Sequence, residues 1–222
     1  MKKAKPILVS YDNFLDPLLI KKINAFVDQM EVEHKPVWRT SHGWHEKVKR
    51  ETSPIAILEL PDHLAIPIHK RLRQVPELSW KDDRIPRRPQ YYLCPPGGYT
   101  GWHNDGKYEF ASMIFLNPVW NLDWGGLHLY EDLKGLGIRA EVPTFNQCVI
   151  NAGGVPHAVS IIAPDAPLRR VIVTFGPYVS KTEEAKRDKK HFIWLEKRKM
   201  NSLFLPPEKL KILKRHLSNE KS

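Results

Sequence analysis

His103 and Asp105 stand two residues apart in the run Trp102-His103-Asn104-Asp105-Gly106, and Pro156-His157 follows after a gap of 52 residues. In an extended segment, side chains at i and i+2 point to the same face. Both groups can therefore reach one ion, with His157 as a third ligand from a neighbouring strand. Two imidazoles and one carboxylate on one side of an ion leave the opposite side open, which is the donor set of non-haem Fe(II) oxygen chemistry. Each residue alone is ordinary: a lone strand histidine is usually structural, and His-x-Asp is common by chance. The ordered set is rarer, and a basic pair, Arg169-Arg170, 12 and 13 positions after His157 narrows it further.

Arg169 and Arg170 open a strand that continues Val171-Ile172-Val173-Thr174-Phe175. Charge at the head of a buried strand is costly unless paired. One arginine projecting inward would grip a carboxylate in bidentate fashion, and the other would face outward. Parity groups Arg170 with Ile172 and Thr174; if that face is interior, Arg170 and Thr174 act together on an anion. His128, in Leu127-His128-Leu129-Tyr130, is the chief rival ligand and is read as a pocket-lining or structural residue. His42 and His45, three apart but with Gly43 between them, are read as loop residues.

These groups need a scaffold. Asp16-Pro17 is a helix start, a capping carboxylate followed by proline at the first helical position. Leu19, Ile20, Ile23, Phe26, Val27 and Met30 then recur at helical spacing. Residues 31–54 read as polar and irregular, and a second helix is expected from Asp62 to Gln74. From Pro89 onward, short strand-like runs alternate with turn sequences such as Pro95-Pro96-Gly97-Gly98 and Ala163-Pro164-Asp165-Ala166-Pro167. Many short strands without intervening helices predict an antiparallel sandwich or barrel rather than βαβ units. Pro206 to Leu217 reads as a last helix. The expected organisation is a single domain: helical support over 1–88, a β core over 89–178, and a basic helical extension over 179–222.

The 222 residues suffice for a sizeable core. Of the net charge of +10, most belongs to residues 180–222, where 13 Lys/Arg face 6 Asp/Glu. No aromatic-interleaved basic motif marks a nucleic-acid reader. Cys94 and Cys148 lie outside any paired-cysteine motif and read as reduced, packed thiols. The apolar run Pro6–Val9 is too short for a signal peptide, and no stretch reaches the ~20 apolar residues that span a bilayer. The expectation is a soluble, cytoplasmic protein.

His103-Asn104-Asp105, Trp124-Gly125-Gly126-Leu127-His128-Leu129-Tyr130, Pro156-His157 and Arg170-x-x-x-Thr174 together resemble the 2-oxoglutarate/Fe(II)-dependent oxygenases, in particular the prolyl-hydroxylase-like branch. The resemblance covers about residues 89–178. It implies a mainly β fold with flanking helices, the double-stranded β-helix or jelly roll. It implies Fe(II) bound by His103, Asp105 and His157, and 2-oxoglutarate held by Arg170, with Thr174 and Tyr92 (or Tyr91) lining the same pocket. Tyr99 is near a family tyrosine but offset by one residue. Where many relatives carry tryptophan on the last strand, this register places Gly176, which would open the pocket floor. O2 is the second co-substrate, and ascorbate is an admissible reductant.

The implied reaction is hydroxylation of a prolyl or other amino-acid residue, or of a free amino acid or small metabolite, with 2-oxoglutarate decarboxylated to succinate. The expected partner is therefore a peptide, a protein or a small molecule. Two other classes compete: an oxygenase that dealkylates nucleic acid, and a non-catalytic metal-binding jelly roll. The complete triad and the arginine speak against the last.

Overall fold

Asp16 caps the first helix as its sequence position requires. Its Oδ1 accepts from the backbone N–H of Leu18 at 2.8 Å and of Leu19 at 3.3 Å, so helix α1 runs Pro17–Glu33. A computed structural model of the chain describes residues 7–33, 38–40, 54–78, 86–132, 137–152 and 154–179. His42, His45 and the basic extension, with its expected last helix, lie outside the described residues.

Strand β1 (Ile7–Tyr11) precedes α1. After it come β2 (Trp38–Thr40), β3 (Pro54–Glu59) and α2 (Asp62–Leu72). The β core follows with β4 (Gln90–Cys94), β5 (Thr100–His103), β6 (Phe110–Phe115), β7 (His128–Glu131), β8 (Ile138–Glu141), β9 (Cys148–Ala152), β10 (His157–Val159) and β11 (Arg169–Phe175). The strands form a seven-stranded sheet, β1-β9-β6-β11-β4-β3-β2, and a four-stranded sheet, β5-β10-β7-β8. Among the described residues every strand pairing is antiparallel. The architecture is the expected jelly roll with flanking helices. It adds β1, β2 and β3, which the sequence pattern does not announce.

Both faces of the large sheet are buried, and they bury different things. One face carries Tyr91, Leu93, Phe110, Ile114, Cys148, Ile150 and Ile172 against the helix residues Ile20, Ile23, Val27, Leu64, Ile68 and Leu72. Each fully buried aliphatic side chain contributes about 1.5–3 kcal/mol relative to exposure. The other face carries Tyr92, Ala111, Phe115, Val149, Val171, Val173 and Phe175. Asn151 shares that second face and reaches His157 on the small sheet, so this face looks into the space between the sheets. A turn at Asn146 (φ 57°) fastens the chain entering α1. Its buried amide accepts from the Leu15 N–H at 2.8 Å and donates to the Leu15 carbonyl at 2.9 Å.

Candidate metal centre and adjoining basic pocket

β5 ends on His103, and antiparallel pairing sets His157, the first residue of β10, directly opposite it. The two rings are 4.2 Å apart between centroids. Asp105 lies two residues past His103, and its Oδ2 is 3.4 Å from Nε2 of His157. One ligand atom from each of His103, Asp105 and His157 lies within 4.8 Å of the others. The structure thus brings together the three residues that the spacing singled out.

The histidine rings are held from behind. Nδ1 of His103 lies 2.8 Å from the Gly101 carbonyl. Nδ1 of His157 lies 2.9 Å from the Val155 carbonyl and 2.9 Å from Nδ2 of Asn151. A carbonyl only accepts, so in each ring the tautomer that donates from Nδ1 leaves the Nε2 lone pair free for a ligand bond. Asn151 also grips Val155 through its carbonyl (2.9 Å) and N–H (3.2 Å), which fixes the turn leading into His157. Such outer partners orient metal-binding imidazoles. Sequence spacing did not reveal Asn151; its signal is a polar residue inside an otherwise apolar strand, six positions before a candidate ligand.

A divalent ion fits this donor set. Two ligand atoms each about 2.1 Å from one ion lie about 3–3.5 Å apart, and Asp105 and His157 already hold that separation. Oδ1 of Asp105 is buried without a hydrogen-bond partner, a costly condition that a cation would relieve. Next to these residues in the chain, Gly106 and Gly154 meet backbone to backbone: a Cβ on Gly154 would come within 2.9 Å of the Gly106 Cα.

The resemblance implied Arg170 and Thr174 in the 2-oxoglutarate pocket, but the face they share is not the interior one. Arg170 shares the helix-side face with Ile172. Its guanidinium lies 3.6 Å from Asp28 and 3.8 Å from Glu31, both on α1, and it interacts with Tyr91. Thr174 is buried on that same side, opposite Ser112. A strand buried on both faces has no polar side to fix its phase. The interior arginine is Arg169, 2% exposed, with its guanidinium carbon 5.2 Å from the Phe115 ring centroid. Nε and Nη2 of Arg169 have no hydrogen-bond partner, and the guanidinium interacts with the Cys94 thiol. Burial pulls the Arg169 pKa below its ordinary value, Cys94 opposing, while burial pushes the Cys94 thiol up. A buried guanidinium with unpaired donors is a cradle for an anion.

Tyr92 is interior, opposite Val171. Its hydroxyl donates to Oε1 of Gln90 at 3.1 Å, and burial holds its pKa far above the ordinary range. Tyr91 belongs to the helix side, and Tyr99 precedes β5 outside the ligand cluster. The open pocket floor expected from Gly176 is not found. Gly176 packs on Phe110, whose ring a Cβ would meet at 2.5 Å, and the interior position is filled by Phe175, stacked on Tyr108 at 4.7 Å. Gly126, at φ +62°, leaves room for Arg169; its Cβ would lie 3.2 Å from Cδ of Arg169. His128 is fully buried on the interior face, its ring 5.4 Å from that of His157. It is not part of the three-ligand cluster.

Among the described residues no helix is long and apolar enough to cross a membrane. No protein-family model and no curated protein matches the chain. Solved structures do. A Trichoplax adhaerens prolyl hydroxylase, in complex with a hypoxia inducible factor oxygen degradation domain peptide fragment, superposes with a TM-score of 0.61 at 15% identity, covering 80% of this chain and 86% of its own. A Pseudomonas putida prolyl-4-hydroxylase gives 0.55 at 16%, covering 78% and 93%. The viral collagen prolyl hydroxylase of Paramecium Bursaria Chlorella virus-1, in its 2OG complex, gives 0.53 at 16%, covering 78% and 96%. The chain therefore has the jelly-roll fold shared by these prolyl hydroxylases.

Proposed function

We propose that the protein is an Fe(II)- and 2-oxoglutarate-dependent dioxygenase that hydroxylates an amino-acid residue, in the first instance a prolyl residue of a peptide. The observation that carries this reading is the convergence of His103, Asp105 and His157 beside a buried arginine with unpaired donors. His103, Asp105 and His157 would hold the iron. When bound, iron with 2-oxoglutarate supplies O2 activation coupled to decarboxylation to succinate.

The chain's own residues do the rest. The Gly101 and Val155 carbonyls orient the two imidazoles so that Nε2 faces the ion, and Asn151 holds Val155 in place. Arg169 pairs with the carboxylate of 2-oxoglutarate remote from the metal, in the role that the resemblance gave to Arg170. Phe115, Val171 and Phe175 close the interior against water, which strengthens that charge pairing. A peptide substrate is supported by the peptide bound to the Trichoplax neighbour.

The test is turnover. Purified protein given Fe(II), O2 and 2-oxoglutarate is expected to form succinate, with stimulation by a proline-containing peptide pool. His103→Ala or Asp105→Ala should abolish it. Failure of wild-type protein to bind 2-oxoglutarate in the presence of metal overturns the assignment and leaves a metal-binding jelly roll.

A further inference from the structure

His128 lies between the two halves of the pocket, and neither half uses it. Its partner across β10 is Val159, one interior position along from the Tyr130–His157 pair. Its ring lies 5.4 Å from His157 and within electrostatic reach of Arg169 and His103. It is completely buried, yet neither Nδ1 nor Nε2 has a hydrogen-bond partner. Tyr130, its ring 5.7 Å away, gives its hydroxyl to Glu141 instead. Buried polar side chains are nearly always bonded. An imidazole serving only as core filler could be replaced by an aliphatic group without leaving two polar atoms unsatisfied.

We propose that His128 is a direct binding residue for the 2-oxo acid, one ring nitrogen donating a hydrogen bond to a carboxylate oxygen of that co-substrate. The inference rests on the reading of this pocket as a 2-oxoglutarate site. In either neutral tautomer the ring carries one N–H donor, so the bond needs no change of charge. Arg169 supplies the charge at one end and His128 fixes the orientation of the acid between that end and the metal. Oriented donors of this kind separate a ligand that offers an acceptor from one that does not.

The test uses the full chain loaded with Mn(II) and titrated with 2-oxoglutarate by calorimetry. Absence of binding by the wild type sinks the 2-oxoglutarate reading itself, and the inference with it. Given wild-type binding, His128→Leu should weaken 2-oxoglutarate about ten- to a hundredfold, the range for a hydrogen bond to a charged group. Mn(II) affinity and thermal midpoint should stay unchanged, and His128→Asn should recover most of the loss. Should His128→Leu fail to fold, His128→Met, a more adaptable filler, carries the same comparison.

2-Oxovalerate, which lacks the second carboxylate, locates the bond. A loss confined to 2-oxoglutarate places it at the end held by Arg169. An equal loss for both acids places it at the metal end. Either result supports the proposal. Affinities within twofold of wild type for both acids overturn it, as does a fall in Mn(II) affinity as large as the fall for the acid.

Discussion

Arg169 and Arg170 are consecutive residues whose guanidinium groups lie on opposite faces of β11, one in the space between the sheets and the other against Asp28 and Glu31 of α1. Arg169→Ala should therefore weaken 2-oxoglutarate binding at least a hundredfold, about 3 kcal/mol for a buried charged pairing. Metal affinity should be spared. Arg170→Ala should leave the co-substrate affinity unchanged and cost about 0–1 kcal/mol of stability, because its ion pairs are long and partly exposed. Calorimetry on both variants decides; the reverse ranking would return Arg170 to the pocket.

Asn151 fixes Val155, whose carbonyl accepts from Nδ1 of His157. Asn151→Ala should lower metal affinity about 10- to 100-fold, the usual effect of removing an outer partner. Competition with a chromophoric chelator measures it. Asn151→Asp, which retains the acceptor toward the Val155 N–H, should lose less than Asn151→Ala.

Asn146 is the fastening between the turn before β9 and the start of α1. Asn146→Ala strips both hydrogen bonds to Leu15 and leaves alanine at φ 57°. The expected loss is about 2–4 kcal/mol, read as a lower urea midpoint with an unchanged slope. Wild-type stability in this variant would mean that water replaces the amide.

The pH dependence of stability follows from two histidines, His69, half-buried, and His128, fully buried. Burial lowers the pKa of His69 below its ordinary 6.5, with the Arg87 carbonyl partly restoring it. Burial, with His157 and Arg169 adding to it, lowers that of His128 much further. A depressed folded-state pKa means that the unfolded chain binds more protons on the acid side. The metal-free protein should therefore hold full stability above about pH 6.5 and lose it as pH falls below that value. His69→Gln should flatten the upper part of the decline, as measured by urea titrations at successive pH values.

The legibility of the site follows from where each constraint sits. The His103–Asp105 pair is readable because both residues lie on one short extended arm, where local geometry alone aligns them. His157 is readable because of its Pro-His strand start and the basic pair beyond it. Helix α1 announces itself through Asp16-Pro17 and an apolar stripe. The phase of β11 is hidden, since Val171, Ile172, Val173 and Phe175 are all buried, Ile172 under the helices and the other three between the sheets. β1 and β3 are hidden because segments of only five and six residues, mostly apolar, become strands by pairing with β9 and β4. The part of Asn151 depends on a contact across the sheets, which no local pattern encodes.

The glycine-on-glycine contact of Gly106 with Gly154 joins the residue after Asp105 to the residue three before His157. Two bare backbones pressed together act as a rivet between the segment leaving Asp105 and the segment approaching His157. The seat for the cation is thus shaped before any cation arrives, and chelating agents should strip the protein of its ion without loosening its architecture. Thickening the rivet by one methyl group at position 154 would prise the donors apart, spoiling the seat while the remote helices stay in place.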